Sequence, residues 1–226
     1  MTLHHVDIAF QIIAFIFAIS VHESAHAWMA NRRGDPTARM LGRITLNPIK
    51  HIDPVGTVLL PLIAAWQNIP ILGWAKPTPV DPRNFRRPVL DDILTSVVGP
   101  LSNLVVASGA TICLLLIKLT SASGRQVIDQ VVGPEPLRSQ SVLVPFSVLF
   151  YEMMTINVLL AVFNLIPVPP LDGSHVLRHF LPEPVRRVYD SIGIFGLLLL
   201  FFFGGNLIYA MVTPLVGVFD LLLLKA

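Results

Sequence analysis

The chain has 226 residues, 54% of them hydrophobic and only 13% charged, with a mean hydropathy of +0.70. Water-soluble domains carry nearly twice that charged fraction, about 25%, so the composition excludes an ordinary soluble domain and indicates a membrane protein. A formal net charge of +2 without a dense basic block argues against a nucleic-acid partner, and the lone Cys113 excludes an intrachain disulfide and a cysteine-built zinc site.

The first apolar run, IAFQIIAFIFAISVHESAHAWMA, extends from Ile8 to Ala30. It exceeds the roughly 20 residues needed to cross a bilayer. The preceding MTLHHVD lacks the basic segment of a cleaved signal peptide, so the run is expected to be retained. Next comes Val55–Leu72, shorter and punctuated by Pro61, Gln67 and Pro70. Ile93–Ile117 and Val142–Ile166 each suffice for one crossing. The stretch from Ile192 to about Leu224 exceeds one, with Gly204, Gly205 and Pro214 as candidate breaks. The proline-rich WAKPTPVDP and IPVPPLDG fall between spans rather than at a boundary, so one domain, 1–226, is expected, with no recognisable PDZ- or CBS-like appendage.

Charge asymmetry sets the expected topology, because Lys and Arg concentrate in cytoplasmic loops. If Val55–Leu72 enters the membrane and returns, one face holds Arg32, Arg33, Arg39, Arg43, Lys50, Lys76, Arg83, Arg86, Arg87, Arg178, Arg186 and Arg187. That is 12 of the 16 basic residues, leaving Lys118, Arg125, Arg138 and Lys225 opposite. If it crosses, the split is 9 against 7. The stronger bias favours a re-entrant segment, with the N-terminus outside the cell and the first span ending in the cytoplasm.

Polar residues at membrane depth are costly and need matched partners. His22 and His26 stand four apart, which places both imidazoles on one helix face, one turn apart, with Glu23 beside them. This H-E-x-x-H spacing supplies two zinc ligands and a general base. Catalytic zinc takes a third protein ligand. Candidates are Asp220, His51 and Asp53 in NPIKHIDPVG, and Asp172 in FNLIPVPPLDGSHVL. Asp172 is the most suggestive, because Pro167, Pro169 and Pro170 forbid a regular helix there. Irregular backbone survives at membrane depth only where protein or a wet cavity buries it. The other reading of Asp172 is an interfacial turn in which it caps the next helix.

Together HESAH at 22–26, GPLSN at 99–103 and NLIPVPPLDG at 164–173 resemble the site-2 protease family of intramembrane zinc metalloproteases. GDPTARMLGRITLNPIKHIDPVGT and GWAKPTPVDPRN are similar to its compact bacterial and archaeal branch, so the likeness covers roughly residues 10–190. The resemblance implies that His22, His26 and Asp172 ligate Zn2+, that Glu23 is the catalytic base, and that Asn164 holds the substrate backbone or the developing oxyanion. It also makes GWAKPTPVDP the expected β-loop, an edge to which an unwound substrate segment adds. Many members carry Gly or Arg where this chain has His175, which is expected to hydrogen-bond rather than ligate. Asn103 is expected to bridge helices, and His51 and Asp53 to pin the re-entrant segment.

The expected fold is an all-α polytopic membrane protein, with about four transmembrane helices and a re-entrant or β-loop segment around a buried metal site. The expected function is hydrolysis of peptide bonds in or near transmembrane segments of membrane-protein substrates, in the cell membrane. The alternative is a membrane-embedded metal-binding protein, either a transporter or a pseudoprotease that does not cut.

Overall fold

A computed structural model describes residues 3–67, 73–133, 137, 139 and 141–226. The end of the expected re-entrant segment, 68–72, and Arg138 lie outside the described residues. Helix α1 (Leu3–Arg33) uses the first apolar run and stops at Gly34–Asp35–Pro36, with Arg32 and Arg33 in its last turn complementing the helix dipole. A short α2 (Thr37–Met40) follows. A 3-10 turn, Pro48–Lys50, then precedes a π-helical turn, Pro54–Leu59, which runs into α3 (Leu60–Gln67). Helices α4 (Pro88–Thr120), α5 (Ala122–Val132), α6 (Val144–Leu165) and α7 (Asp172–Leu177) come next, then α8 (Glu183–Phe203) and α9 (Gly205–Lys225). The described residues contain no β-strand.

Among the described residues four helices are long and apolar enough to cross a membrane: α1 from Ile8, α4, α6 and α9. Helices α1, α4 and α6 pack most extensively on one another. Buried alanines let them approach closely: Ala14, Ala18, Ala27 and Ala30 on α1, Ala107 and Ala110 on α4, and Ala161 on α6. Helix α9 closes the bundle, laying Val212, Leu215, Val216 and Phe219 against Met154, Val158 and Val162 of α6. On the outer surface Leu101, Val105, Ile112, Leu116 and Leu119 of α4 stay exposed at helical spacing. In a soluble protein so continuous an apolar face would be a liability; here it is the face that meets lipid.

The segment between α1 and α4 returns to the side it left. The Arg86 N–H donates to the Arg33 carbonyl at 3.2 Å, so the end of α1 and the approach to α4 are neighbours. Two parallel crossings would separate them by a bilayer thickness. Between them the Asp53 carboxylate caps the turn by accepting the Val55 and Gly56 N–H groups, and the His51 carbonyl accepts the Lys76 N–H. Residues 73–81 run extended, and the N–H groups of Trp74, Lys76 and Thr78 are used in strand-like alternation. Their acceptors are two carbonyls and a carboxylate rather than a second strand.

The long C-terminal stretch kinks at Gly193, which has a positive φ of 48° inside α8, and breaks at Gly204, but not at Pro214, which α9 accommodates. At the far end of α9 the buried Lys118 ammonium, from the last turn of α4, donates to the Leu223 and Leu224 carbonyls and to Asp129. Helix α9 has 21 residues. That is about 31 Å of helix, one hydrocarbon thickness, so it starts at the end of the bundle where α8 starts. Helix α8 therefore does not cross. Its apolar half packs Leu197 and Leu200 against Ile166, Val168 and Leu171, beneath the loop that leads to Asp172.

Candidate metal centre

The site is built where α1, α4 and α7 meet. His22 Nε2 and His26 Nε2 lie 3.0 Å apart, and Asp172 Oδ2 stands 3.1 Å from the first and 3.3 Å from the second. The histidines are 7% and 8% exposed. Ligands arranged tetrahedrally around zinc are separated by about 3.3 Å, given bond lengths near 2.0–2.2 Å. The three donors match that spacing.

Protonation decides whether they want a proton or a metal. The His26 Nδ1–H donates to the Thr95 carbonyl at 2.6 Å, an acceptor that has no proton to give. His22 Nδ1 lies 2.7 Å from Asn103 Oδ1. The orientation of Asn103 is fixed in turn, because its Nδ2 donates to the Ala18 carbonyl and to Asn157 Oδ1, while Asn157 Nδ2 donates to the Met153 carbonyl. Both imidazoles thus spend their N–H outward, and both Nε2 lone pairs face inward with the Asp172 carboxylate. Asp172 Oδ2 is buried and has no hydrogen-bond donor. Three converging lone pairs without a proton between them call for a cation, and outward hydrogen bonds of this kind orient metal-bound histidines generally.

Two glycines make the approach possible. A Cβ on Gly99 would stand 2.3 Å from His26 Nε2 and 2.8 Å from His22 Cε1, so α4 can support the two rings only with glycine there. A Cβ on Gly173 would meet the Leu165 carbonyl at 2.3 Å, so glycine lets α7 press its first residue, Asp172, against the end of α6. No α7 cap hydrogen bond from Asp172 is present, and its carboxylate turns to the histidines.

Glu23 Oε2 accepts the Thr78 N–H at 2.8 Å, and the Thr78 hydroxyl donates to the Glu23 carbonyl at 3.0 Å. The extended segment therefore lies across the glutamate. Asp35 holds that segment from below. It is fully buried and accepts the Thr37 hydroxyl, the N–H groups of Asp81 and Thr37, and the Asn84 amide. Burial alone would raise its pKa, but these donors outweigh it and hold the carboxyl below its ordinary value. Arg43 ties the same segment to the rest of the loop through the carbonyls of Lys50, Lys76 and Pro77.

Of the other candidate ligands, none joins the trio. His51 is buried against the Thr45 carbonyl, Asp53 is a cap, and Asp220 of α9 faces Tyr151. His175 lies 3.7 Å from Asp92 Oδ1, and His179 Nε2 lies 2.7 Å from Asp92 Oδ2, which ties the segment after Asp172 to the start of α4. Asn164, in the last turn of α6, donates to its own helix at the Leu160 carbonyl. The Thr95 carbonyl, the Thr78 N–H and the link from Asp92 to His179 are absent from the sequence reading. The first two are backbone groups, which leave no signature in residue type.

Comparison with known proteins identifies the family. Peptidase family M50 matches residues 10–203. The candidate zinc metalloprotease YwhC of Bacillus subtilis is 38% identical over 197 residues, covering 84% of this chain and 78% of that protein. The candidate zinc metalloproteases named Rip2 of Mycolicibacterium smegmatis and Mycobacterium tuberculosis are 30% and 28% identical, over 82% and 78% of this chain. The chain spans 63% and 60% of those two proteins. No solved structure matches the chain. A match over most of the chain, with zinc as the metal of its relatives, makes this chain a member of peptidase family M50, the site-2 proteases.

Proposed function

We propose that residues 1–226 act as one unit that hydrolyses peptide bonds of membrane proteins within the bilayer, with His22, His26 and Asp172 holding Zn2+ and Glu23 as the general base. The observation that carries this reading is the convergence of His22 Nε2, His26 Nε2 and Asp172 Oδ2 within 3.3 Å of one another, with Glu23 next to His22 in the same helix. When bound, zinc supplies Lewis acidity toward a water and toward a peptide carbonyl. Glu23 does the proton work. Thr78 occupies Oε2, which leaves Oε1 to take a proton from the attacking water. The water oxygen bonds to the carbonyl carbon, the C–N bond breaks, and Glu23 returns the proton to the departing amine. Asn164 is the proposed contact for the substrate backbone, at the point where α6 ends and the chain turns toward Asp172. Substrate must arrive unwound, since helical carbonyls are already hydrogen-bonded. The proline-bearing extended segment beside Glu23 is the proposed seat for it.

The proposed setting is the cell membrane, with the N-terminus outside and the basic face in the cytoplasm. The deciding experiment measures zinc content and cleavage of a transmembrane reporter by wild type and Glu23→Gln. The amide cannot accept a proton, so zinc should stay near one equivalent while cleavage falls by at least 10²-fold, the lower range for loss of a general base. Cleavage by Glu23→Gln at the wild-type rate would remove Glu23 from the role.

A further inference from the structure

Away from the metal centre, four arginines from two spans converge at one end of the bundle. Arg32 and Arg33 close α1, Arg86 and Arg87 lead into α4, and with Asp91 they line an open cleft of about 290 Å³. The arrangement is fixed by backbone, because the Arg86 N–H donates to the Arg33 carbonyl. The cleft has a single acid. Asp91 is buried, accepts the Arg87 N–H at 2.8 Å and stands 3.7 Å from Arg33 Nε, which has no hydrogen-bond acceptor of its own. Arg32, Arg86 and Arg87 have no carboxylate partner among the described residues. Four cations against one anion leave a net charge of +3 on the walls.

We propose that this cleft binds the phosphodiester headgroup of an anionic phospholipid. Guanidinium groups are suited to phosphate, which they meet with paired N–H donors. The depth of the cleft selects a lipid over a free anion. Trp28, one turn before Arg32 and 42% exposed, lies with the Arg32 guanidinium 5.0 Å over its ring. Tryptophan on the outer face of a span sits at headgroup level, so the cleft opens where lipid phosphates are concentrated. Val89 and Leu90, exposed in the first turn of α4 directly after Arg87, offer apolar surface for an acyl chain. The surplus positive charge selects an anionic headgroup over a zwitterionic one, and basic pockets between spans behave in this way generally. A basic patch that served only to orient the protein would need neither a cleft nor convergence of two helices.

The site is independent of peptide hydrolysis, so it is tested on Glu23→Gln protein as well as wild type. The protein is reconstituted in bilayers of equimolar phosphatidylcholine and phosphatidylglycerol and extracted, and its retained lipids are counted by native mass spectrometry. Phosphatidylglycerol should be enriched on the wild type and on an Arg186→Gln/Arg187→Gln control, whose arginines pair with Glu183 on α8. Arg32→Gln/Arg86→Gln should lose the enrichment, by about fivefold for each arginine removed. Arg32→Gln alone, which touches the Trp28 ring, guards against misfolding of the double variant and should show the single step. Equal enrichment in the variants and the wild type, or no enrichment at all, would overturn the proposal. So would inorganic phosphate displacing the lipid at millimolar concentration, which would mark a site for free anions.

Discussion

At the scale of single residues the centre depends on charge more than on shape. Asp172→Asn keeps the size of the third donor but removes the anion that balances a dication in a low-dielectric setting. Outer hydrogen-bond partners of metal ligands are worth about 10–100-fold in affinity or activity, so loss of a direct carboxylate should cost at least that much zinc affinity. Asp53→Asn and Asp220→Asn should leave zinc unchanged, since one carboxylate is a cap and the other faces Tyr151. Side-by-side elemental analysis checks the three variants, and metal loss in Asp53→Asn with none in Asp172→Asn would move the site to the re-entrant segment. Asn103→Leu is the subtler case. It fills the same space but cannot accept the His22 Nδ1–H, so that ring is free to turn or to carry its proton on Nε2. Zinc affinity should fall about 10–100-fold. Spacing alone makes His22, Glu23 and His26 legible in the sequence. Asn103 is legible as a buried polar residue, but its attachment to His22 is not, because 81 residues separate the two.

At the scale of elements, the segment over Glu23 is a loop held by buried polar groups rather than by a sheet. Asp35 is the main fixture, and its removal leaves the Asp81 N–H and the Asn84 amide without their acceptor. Each unpaired buried donor costs about 1–3 kcal/mol, so Asp35→Ala should open the segment locally and raise its exposed population about tenfold or more. Trypsin reports this directly, because the bonds after Arg83 and Arg86 lie in the released stretch, while Pro88 blocks cleavage after Arg87. Cleavage there should accelerate in Asp35→Ala while the spans stay intact. The acid dependence has a definite sign. A carboxyl held below its ordinary pKa stabilises the fold fully above the unfolded value, near 3.9, and loses that contribution as pH falls through the folded value. The wild-type segment should therefore show the same protection from pH 5 to pH 8. Sequence alone suggests extended backbone here from the prolines at 77 and 79, but not its hold on Glu23, which runs through the Thr78 N–H. Helix α8 is illegible for a different reason. Its apolar half reads like a span, and only the anchoring of the end of α9 by Lys118 shows that it does not cross.

At the scale of the whole molecule, the fold sorts charge by face. The ends of α1, α6 and α7 and the start of α4 gather at one pole, which carries the 12 basic residues counted from Arg32 to Arg187, while Lys118, Arg125 and Lys225 lie at the other. Four crossings among the described residues place the start of α1 and the end of α9 at the second pole. The pattern was readable because the basic bias is strong under one topology and weak under the other, and the bond between Arg86 and Arg33 selects the same one. The proposed absolute orientation rests on the tendency of basic loops to stay in the cytoplasm, and labelling tests it. With Cys113 replaced by serine, single cysteines at Arg83, Arg187 and Ser123 are treated in intact cells with a membrane-impermeant maleimide. Ser123→Cys should react from outside, while Arg83→Cys and Arg187→Cys should react only after the membrane is opened. Reaction of Arg83→Cys and Arg187→Cys from outside, with Ser123→Cys protected, would invert the protein without altering its fold. Reaction of Arg83→Cys on the side opposite Arg187→Cys would contradict the fold itself, because it would require residues 54–72 to cross and would pull the end of α1 a full bilayer away from the start of α4.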